Sequence, residues 1–525
     1  MISYITDFFR LCGAGWALTR RDALLPVEYD QVYPLPLRVF GAASRIGAKT
    51  TDDGRAMRPG ERLASALEGL GPFYVKTGQF MATRPDIIGF EMADDLCRLQ
   101  DRMPPFERDI AVAEAERALG KPLNDLFADF SEPIAAASIA QAHRATLHDG
   151  RDVAVKVLRP GVEKKTASDF RALHRFARFV EKVSKRIRRL EPVKLIETLQ
   201  EAARLELDLR LEAGAASQMQ DNLVKDDHIR IPEVVWSHSS RRVLTIEWID
   251  GTPISDVQTL DARGIDRPKL AVQVMQSFLH QALHQGYFHA DMHQGNMIID
   301  HQGRLGLIDF GIMGRLDEEA RRTFATIIYG FINRDYLKTA QAHFDAGYIA
   351  PHYSVESFAQ ALRAVGEPLY GQDADQMDMS RVLQQLFDVT DMFDMHLRPE
   401  LVLLQRTMVT VEGVARLLNP KINMWETATP VISSYINSEI GPTYQLKRLQ
   451  DATIKMIDIA PRLPDYISTI AHAAEQVSDE KLGLSQQTTN QLAKALSAND
   501  KKTRLALWFA GLSALILALT LIFTR

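Results

Sequence analysis

A chain of 525 residues is too long for one compact core, and with 46% hydrophobic and 25% charged residues it has the composition of a globular protein. Two lobes with appended segments are therefore expected, and extensive disorder is not. The net charge is -5, and Lys501, Lys502, Arg504 and Arg525 follow residue 500 without an acid, so everything before them carries -9, which excludes nucleic acid as a natural partner.

The N-terminus, MISYITDFFRLCGAGWALTRR, sets Asp7 and Arg10 inside its apolar stretch and lacks a basic start. It reads as an amphipathic helix that packs on the body or touches lipid, not as a secretory signal. Cys12 and Cys97 are the only cysteines, without histidines at metal-ligand spacing, so neither a disulfide framework nor a zinc site is expected and a reducing compartment fits. Residues 1–110 read as a helical extension. From Leu126 to Val157 the texture turns to β, with two strand-like pieces flanking HDGRD, whose Asp149 and Gly150 supply a hairpin turn.

Phe170, Leu173, Phe176, Val180, Val183, Ile187 and Leu190 then recur in steps of three and four, one face of a helix. Its other face carries Arg171, Arg175, Arg178, Lys182, Lys185, Arg186, Arg188 and Arg189, for which a solvated face is favoured over anionic lipid. A second long helix is expected from Pro192 to Gln220, and VLTIEWIDG at 243–251 reads as a buried strand. From Arg263 to Ser497 the chain reads as helical apart from short pieces at 296–310. The uncharged run LALWFAGLSALILALTLIF, 505–523, is close to the roughly 20 residues that span a bilayer. Lys501, Lys502 and Arg504 before it place the body on the cytoplasmic side, the inner membrane in a bacterium.

Phosphoryl transfer from ATP needs Mg2+ held by carboxylate and amide oxygens, a lysine on the phosphates and a loop over them. In HADMHQGN, Asp291 and Asn296 have the spacing of a kinase catalytic loop, with Asp291 facing the acceptor and Asn296 on metal. LIDFGIMG follows with Asp309 as the second metal ligand, and VAVKVLRP presents Lys156 on a strand. Each alone is a common occurrence, and a lone aspartate is more often a helix cap. All four in this order and spacing are specific. His289 and His293 read as orienting or packing residues, because neither has metal-ligand company.

Where a glycine-rich phosphate loop would precede Lys156 stands IAAASIAQAH, 134–143; FYVKTGQF holds a KxGQ motif in Lys76, Gly78 and Gln79; LELDLRLEAG holds an ExD motif in Glu206 and Asp208, with Glu212 beyond it. In these motifs the chain resembles the UbiB family, also called the Abc1 or Coq8 family, from about Pro72 to Asp317. The resemblance implies an α+β, bilobal protein-kinase-like fold with a helical N-terminal extension, to which the apolar run adds a C-terminal transmembrane helix. The expected divisions are extension 1–110, N-lobe 111–250, C-lobe 251–500 and anchor 505–523, one apolar helix where bacterial relatives often have two.

It also implies that the extension folds over the cleft with Lys76 aimed at the nucleotide, and that Lys76, Glu206 and Asp208 join Asp291 as catalytic residues. Cofactor contacts are expected from Ile134, Ala135, Ala136, Ala137, Ser138, Ile139, Ala140, Gln141 and Ala142, from Lys156 with its partner Glu212, and from the backbone around Glu247 and Ile249. Alanine in place of glycine restricts the loop and obstructs close approach to phosphates, so nucleotide preference should differ from that of a protein kinase. The implied function is an ATPase or small-molecule kinase serving ubiquinone biosynthesis at the membrane, with ATP, lipid and other proteins of that pathway as partners; a homodimer is compatible with the sequence. A conventional protein kinase is the alternative, weakened because no A-P-E follows the DFG and Arg398-Pro399-Glu400 lies too far along. A non-catalytic nucleotide- or lipid-binding scaffold is the other, weakened by the intact Lys156, Asp291, Asn296 and Asp309.

Overall fold

The computed structural model describes chiefly residues 12–23, 57–82, 90–96, 103–183, 191–224, 226–369 and 398–439, with scattered positions between these spans. Met1–Gly441 forms one unit; the second, Pro442–Arg525, lies outside the described residues, and with it the apolar run at 505–523. Among the described residues no helix is long and apolar enough to cross a membrane.

The extension builds α1 (Pro59–Leu70), α2 (Pro72–Ala82) and α3 (Phe90–Leu96), which close on Leu67, Ala82, Leu96 and Leu99. A two-residue ladder, Thr51–Asp52 with Arg55–Ala56, precedes them in a stretch that reads as helical. After α4 (Arg108–Leu119) come β1 (Asp129–Ala136), β2 (Ala140–Thr146) and β3 (Asp152–Leu158). The period of two in DVAVKVL decides the orientation of β3. Val153, Val155 and Val157 are buried on one face with α4 residue Ala115 and with Phe130, leaving Lys156 to the other. Gly150 takes the turn between β2 and β3 at φ 87°, where glycine is unstrained.

Helix α5 (Val162–Val183) starts well before Phe170, and its stripe departs from the expected one: Phe170 and Ala177 are buried, whereas Phe176 is 54% exposed. Six residues at 100° each carry Phe176 about 120° away from Phe170, while seven bring Ala177 back to it. Residues 184–190 lie outside the described residues. The single helix expected from Pro192 to Gln220 is in fact two, α6 (Pro192–Glu206) and α7 (Leu209–Leu223). Asp208 makes the break: its backbone is extended and its carboxylate caps α7 by accepting from the Arg210 N–H.

Beyond β4 (Ile229–Arg230), β5 (Val243–Glu247) completes an antiparallel sheet ordered β1-β2-β3-β5. The C-lobe adds β6 (Gly251–Pro253), α8 (Arg267–His280), β7 (Tyr287–His289), β8 (Met297–Asp300), β9 (Leu305–Leu307) and β10 (Met313–Arg315). Strands of two or three residues show no alternation, so β4, β6, β7 and β10 fall outside the strands expected at 296–310. They form a sheet ordered β4-β9-β8-β6 and the ribbon β10-β7. Then come α9 (Glu318–Ile332), α10 (Tyr336–Asp345), α11 (Val355–Gly366), α12 (Pro399–Leu418) and α13 (Met424–Glu439). One core joins α7, α8, α12 and α13; a separate cluster around Tyr336, Phe358, Leu362 and Phe393 holds α10 to α11.

Candidate active site

The floor of the cleft is assembled by a hairpin. Met297 pairs with Leu307 across β8 and β9, so Asn296 and Asp309 emerge side by side at its open end, and the Ile308 N–H donates to the Asn296 carbonyl at 3.2 Å. Asn296 donates its side-chain N–H to the Asp291 carbonyl at 3.0 Å, which leaves the amide oxygen as the acceptor atom of that side chain. Asp309 accepts the Gly311 N–H on Oδ1 at 2.9 Å. Its side chain is 43% exposed to the cleft, with Oδ2 3.3 Å from Lys156 Nζ.

Lys156 reaches the floor from β3 and is gripped by Glu212 of α7, whose oxygens lie 2.8 and 2.9 Å from Nζ. Glu212 stands one turn beyond the cap Asp208, so the break that Asp208 imposes sets its direction. Burial disfavours the lysine charge, yet Asp309 and Glu212 outweigh it and hold the ammonium well above its usual range. Burial likewise opposes the Asp309 charge, but Lys156, the Gly311 N–H and Lys76 hold that carboxyl well below its usual range. Burial and Asp309 push Glu212 upward while Lys156 pulls it back; with both oxygens on the ammonium we read it as ionised.

Lys76 comes from α2 and lies 3.6 Å from Glu206, the last residue of α6, so the KxGQ and ExD motifs meet as an ion pair beside Asp309. Gly78 is closely packed: a Cβ there would stand 2.4 Å from Leu99 Cδ1 and 2.7 Å from Leu67 Cδ1, so both leucine ends would have to move. Gln79 donates to the Leu99 carbonyl at 3.3 Å. Asp208, grouped with Glu206 in the sequence, is instead engaged as a cap and with the Arg210 guanidinium at 2.6 Å.

The roof is the alanine-rich hairpin. Most of it is strand, and the turn itself is Ala137–Ile139, closed by the Ala137 N–H on the Ala140 carbonyl at 2.8 Å. Register sorts its residues: Ala135 pairs with Ala142 and Ala142 with Lys156, so these share the cleft face, whereas Ala136, Gln141 and Val157 share the opposite one. The side chains of Ala136 and Gln141 therefore point away from the cleft. Gln141 is buried and bonds both backbone groups of Phe106, at 2.9 and 3.2 Å. Ser138 and Ala140 are fully buried, Ile139 is half-buried and Ile134 is 49% exposed.

Arg159, which nothing in the sequence singled out, ties this turn to the extension by donating to the carbonyls of Ala137 and Pro104, each at 2.9 Å. At the back of the cleft Glu247 pairs with Arg230 at 2.6 Å, its N–H bonds the Glu233 carbonyl, and Ile249 is 4% exposed, so a ligand there would meet backbone and not the Ile249 side chain. His289 is fully buried and takes the Asp291 N–H on Nδ1 at 3.1 Å, which leaves Nε2 to donate to the Asp309 carbonyl. Its ring packs on Phe310 at 5.5 Å. His293 accepts the Gly295 N–H at 2.9 Å, so both histidines organise the loop.

A two-lobed cleft with a lysine and glutamate pair above and an Asp, Asn and Asp floor defines an atypical kinase-like protein. The sequence profile of the ABC1 atypical kinase-like domain matches residues 98–343, and that of the UbiB helical domain matches 362–423. Two curated relatives, each named probable protein kinase UbiB, are from Xylella fastidiosa (strain 9a5c) and Marinobacter nauticus. Both are 36% identical over 470 residues, covering 88% of this chain and 84% and 85% of their own. A solved structure, the complex of Rv3197-erythromycin from Mycobacterium tuberculosis, aligns at 22% identity with a TM-score of 0.49 over 76% of this chain and 98% of its own. The chain belongs to the UbiB family, and a role in ubiquinone biosynthesis is consistent with that membership.

Proposed function

We propose that the chain binds Mg-ATP in this cleft and turns it over, as an ATPase or small-molecule kinase supporting ubiquinone biosynthesis at a membrane. The observation that carries the reading is the convergence of Lys156, Glu212 and Asp309 within 3.3 Å beside Asn296. The groups fit the cofactor. Around Lys156 two carboxylates face one ammonium, an excess of negative charge that a divalent cation would balance, and the oriented Asn296 oxygen supplies the neutral ligand. Asn296 and Asp309 would hold Mg2+, Lys156 the phosphates and Asp291 the acceptor, with Lys76 and Glu206 closing the site from the extension. Bound metal would supply charge neutralisation on the phosphates.

The divisions at 110, 250 and 500 serve this reading as extension, N-lobe and C-lobe, and Leu505–Phe523 is read as one membrane anchor with the catalytic body cytoplasmic. The test is ATP turnover by the full chain in detergent and in bilayers, with and without a phenolic quinone precursor. Turnover that rises with precursor or bilayer supports the proposal; phosphorylation of an added protein in preference to it would favour a conventional protein kinase. Absence of Mg-ATP binding, or turnover unchanged in Asp291→Asn, would overturn the assignment.

A further inference from the structure

The segment His289–Asp291 must present Asp291 in one orientation, and its backbone is held by residues outside the cleft. The Ala290 N–H donates to the Ile312 carbonyl at 3.0 Å, while His289 pairs with Met313 and Phe288 with Gly314. An antiparallel ladder alternates bonded and non-bonded pairs, so the His289 N–H points away from β10. It would be a buried donor without an acceptor but for one side chain, because Gln281 places Oε1 3.1 Å from it. Gln281 is fully buried and anchored by donating to Ser277 Oγ at 3.1 Å. It opens a π-helical turn, Gln281–Gln285, that continues α8 and ends at Gly286 in the left-handed region. Such turns carry one residue more than an α-turn and are frequent at functional sites.

The next carbonyl is held from the opposite side of the chain. Thr407 of α12 is 1% exposed, and its hydroxyl lies 3.1 Å from the Ala290 oxygen and 2.8 Å from the Leu403 oxygen, one proton shared between two acceptors. Helix α12 overlaps the segment matched by the UbiB helical domain, so a part of the chain outside the kinase-like match touches the catalytic loop directly. Beyond these, the Asp291 N–H goes to His289 and its carbonyl to Asn296. The Asp291 carboxylate remains turned to the open cleft, its side chain 38% exposed with His293 Nε2 3.8 Å away.

We propose that Gln281 and Thr407 are positioning residues for Asp291, forming a two-sided clamp on the catalytic loop through the His289 N–H and the Ala290 carbonyl. The proposal rests on the reading that Asp291 addresses a phosphoryl acceptor. In the full chain, Gln281→Met and Thr407→Val, which keep shape and remove the polar contact, should each lower kcat about tenfold while Mg-ATP affinity stays within about twofold. Thr407→Ser restores the hydroxyl and should return most of the rate, and Ser277→Ala, which only frees Gln281, should give a smaller loss. Hydrogen exchange over residues 287–297, measured without nucleotide, should quicken in Gln281→Met and Thr407→Val. This last readout separates the two ideas: a wild-type chain without turnover defeats the proposed function, while quickened exchange alone would still support the clamp in that case. Wild-type exchange in both variants overturns the clamp, as does a wild-type kcat in a chain that turns over. A Thr407→Ser variant no better than Thr407→Val, or kcat and affinity falling together with the melting temperature, also overturns it.

Discussion

The cleft keeps Lys156 charged with Glu212 and Asp309 each within 3.3 Å of its ammonium, whereas burial between α10 and α11, with the Thr339 carbonyl 2.7 Å from Nδ1, lowers the pKa of His343 and favours the neutral imidazole. Both places withdraw ionisable groups from water, Asp309 only in part. The cleft supplies each charge with an opposite one, so ionisation survives burial; the cluster around Tyr348 and Phe358 offers aromatic rings and one carbonyl, so the imidazole stays neutral. Charge retained at the expense of desolvation marks a surface prepared for a charged ligand. Charge surrendered marks packing. Enrichment of perturbed groups at functional sites is therefore informative here only when the sign of the perturbation is read with its cause.

Breaking the compensation in the cleft should have the largest effect. Asp309→Asn keeps shape and removes the carboxylate that faces Lys156 and, in the proposed reading, Mg2+, so turnover should fall about a hundredfold or more. The rise in melting temperature produced by Mg-ATP should disappear with it, since that rise requires a ligand bound to the folded state. A variant whose Mg-ATP shift matches the wild type would show that the charge excess around Lys156 has another purpose.

Next in size is a change that leaves every charge in place and disturbs how one of them is delivered. Gly78→Ala pushes a methyl into Leu99 and Leu67, and overpacking of this kind costs about 1–3 kcal/mol. Lys76 lies two residues before it on the same helix, so a displaced α2 should also disturb the Lys76 and Glu206 pair. Thermal melting checks the first effect and nucleotide affinity the second. Alanine also gains about 1 kcal/mol of helix propensity at an interior position, so an unshifted melting temperature would mean that the overpacking costs no more than that.

The floor was legible because its chemistry depends on local spacing. Asp291, Asn296 and Asp309 sit within one short stretch, and the hairpin that joins the last two fixes their separation. Lys156 was legible through the alternation of its strand. The fold class could be read from the same motifs, but the break at Asp208 could not, because Glu- and Arg-rich sequence on both sides favours helix and only the capping of α7 interrupts it. Arg159, Gln281 and Thr407 left no local signal. Arg159 and Thr407 act on backbone groups far along the chain, Thr407 on Ala290 across 117 residues, and Gln281 reaches the His289 N–H from the preceding helix; neither periodicity nor motif reports such contacts. Phe176 shows the opposite failure, where steps of three were read as one stripe although they drift around the helix.

The smallest effect belongs to His343 and tests the other side of the comparison. Its pKa is lowered to about 4 from an ordinary 6.5, by burial first and against the pull of the Thr339 carbonyl. Folded protein therefore binds fewer protons than unfolded protein between pH 6.5 and 4. The stability associated with neutral His343 is present in full above pH 6.5 and is lost as pH falls through that window. The loss should be about 1 kcal/mol at pH 5.5 and grow to roughly 3 kcal/mol near pH 4, at about 1.4 kcal/mol for each unit of pKa difference. His343→Asn retains a donor toward Thr339 and cannot titrate, so between pH 7 and 5.5 its melting temperature should fall less than that of the wild type by about 1 °C. Parallel curves for the two proteins would mean that His343 is protonated in the folded state, and that the α10 and α11 cluster tolerates a charge as the cleft does.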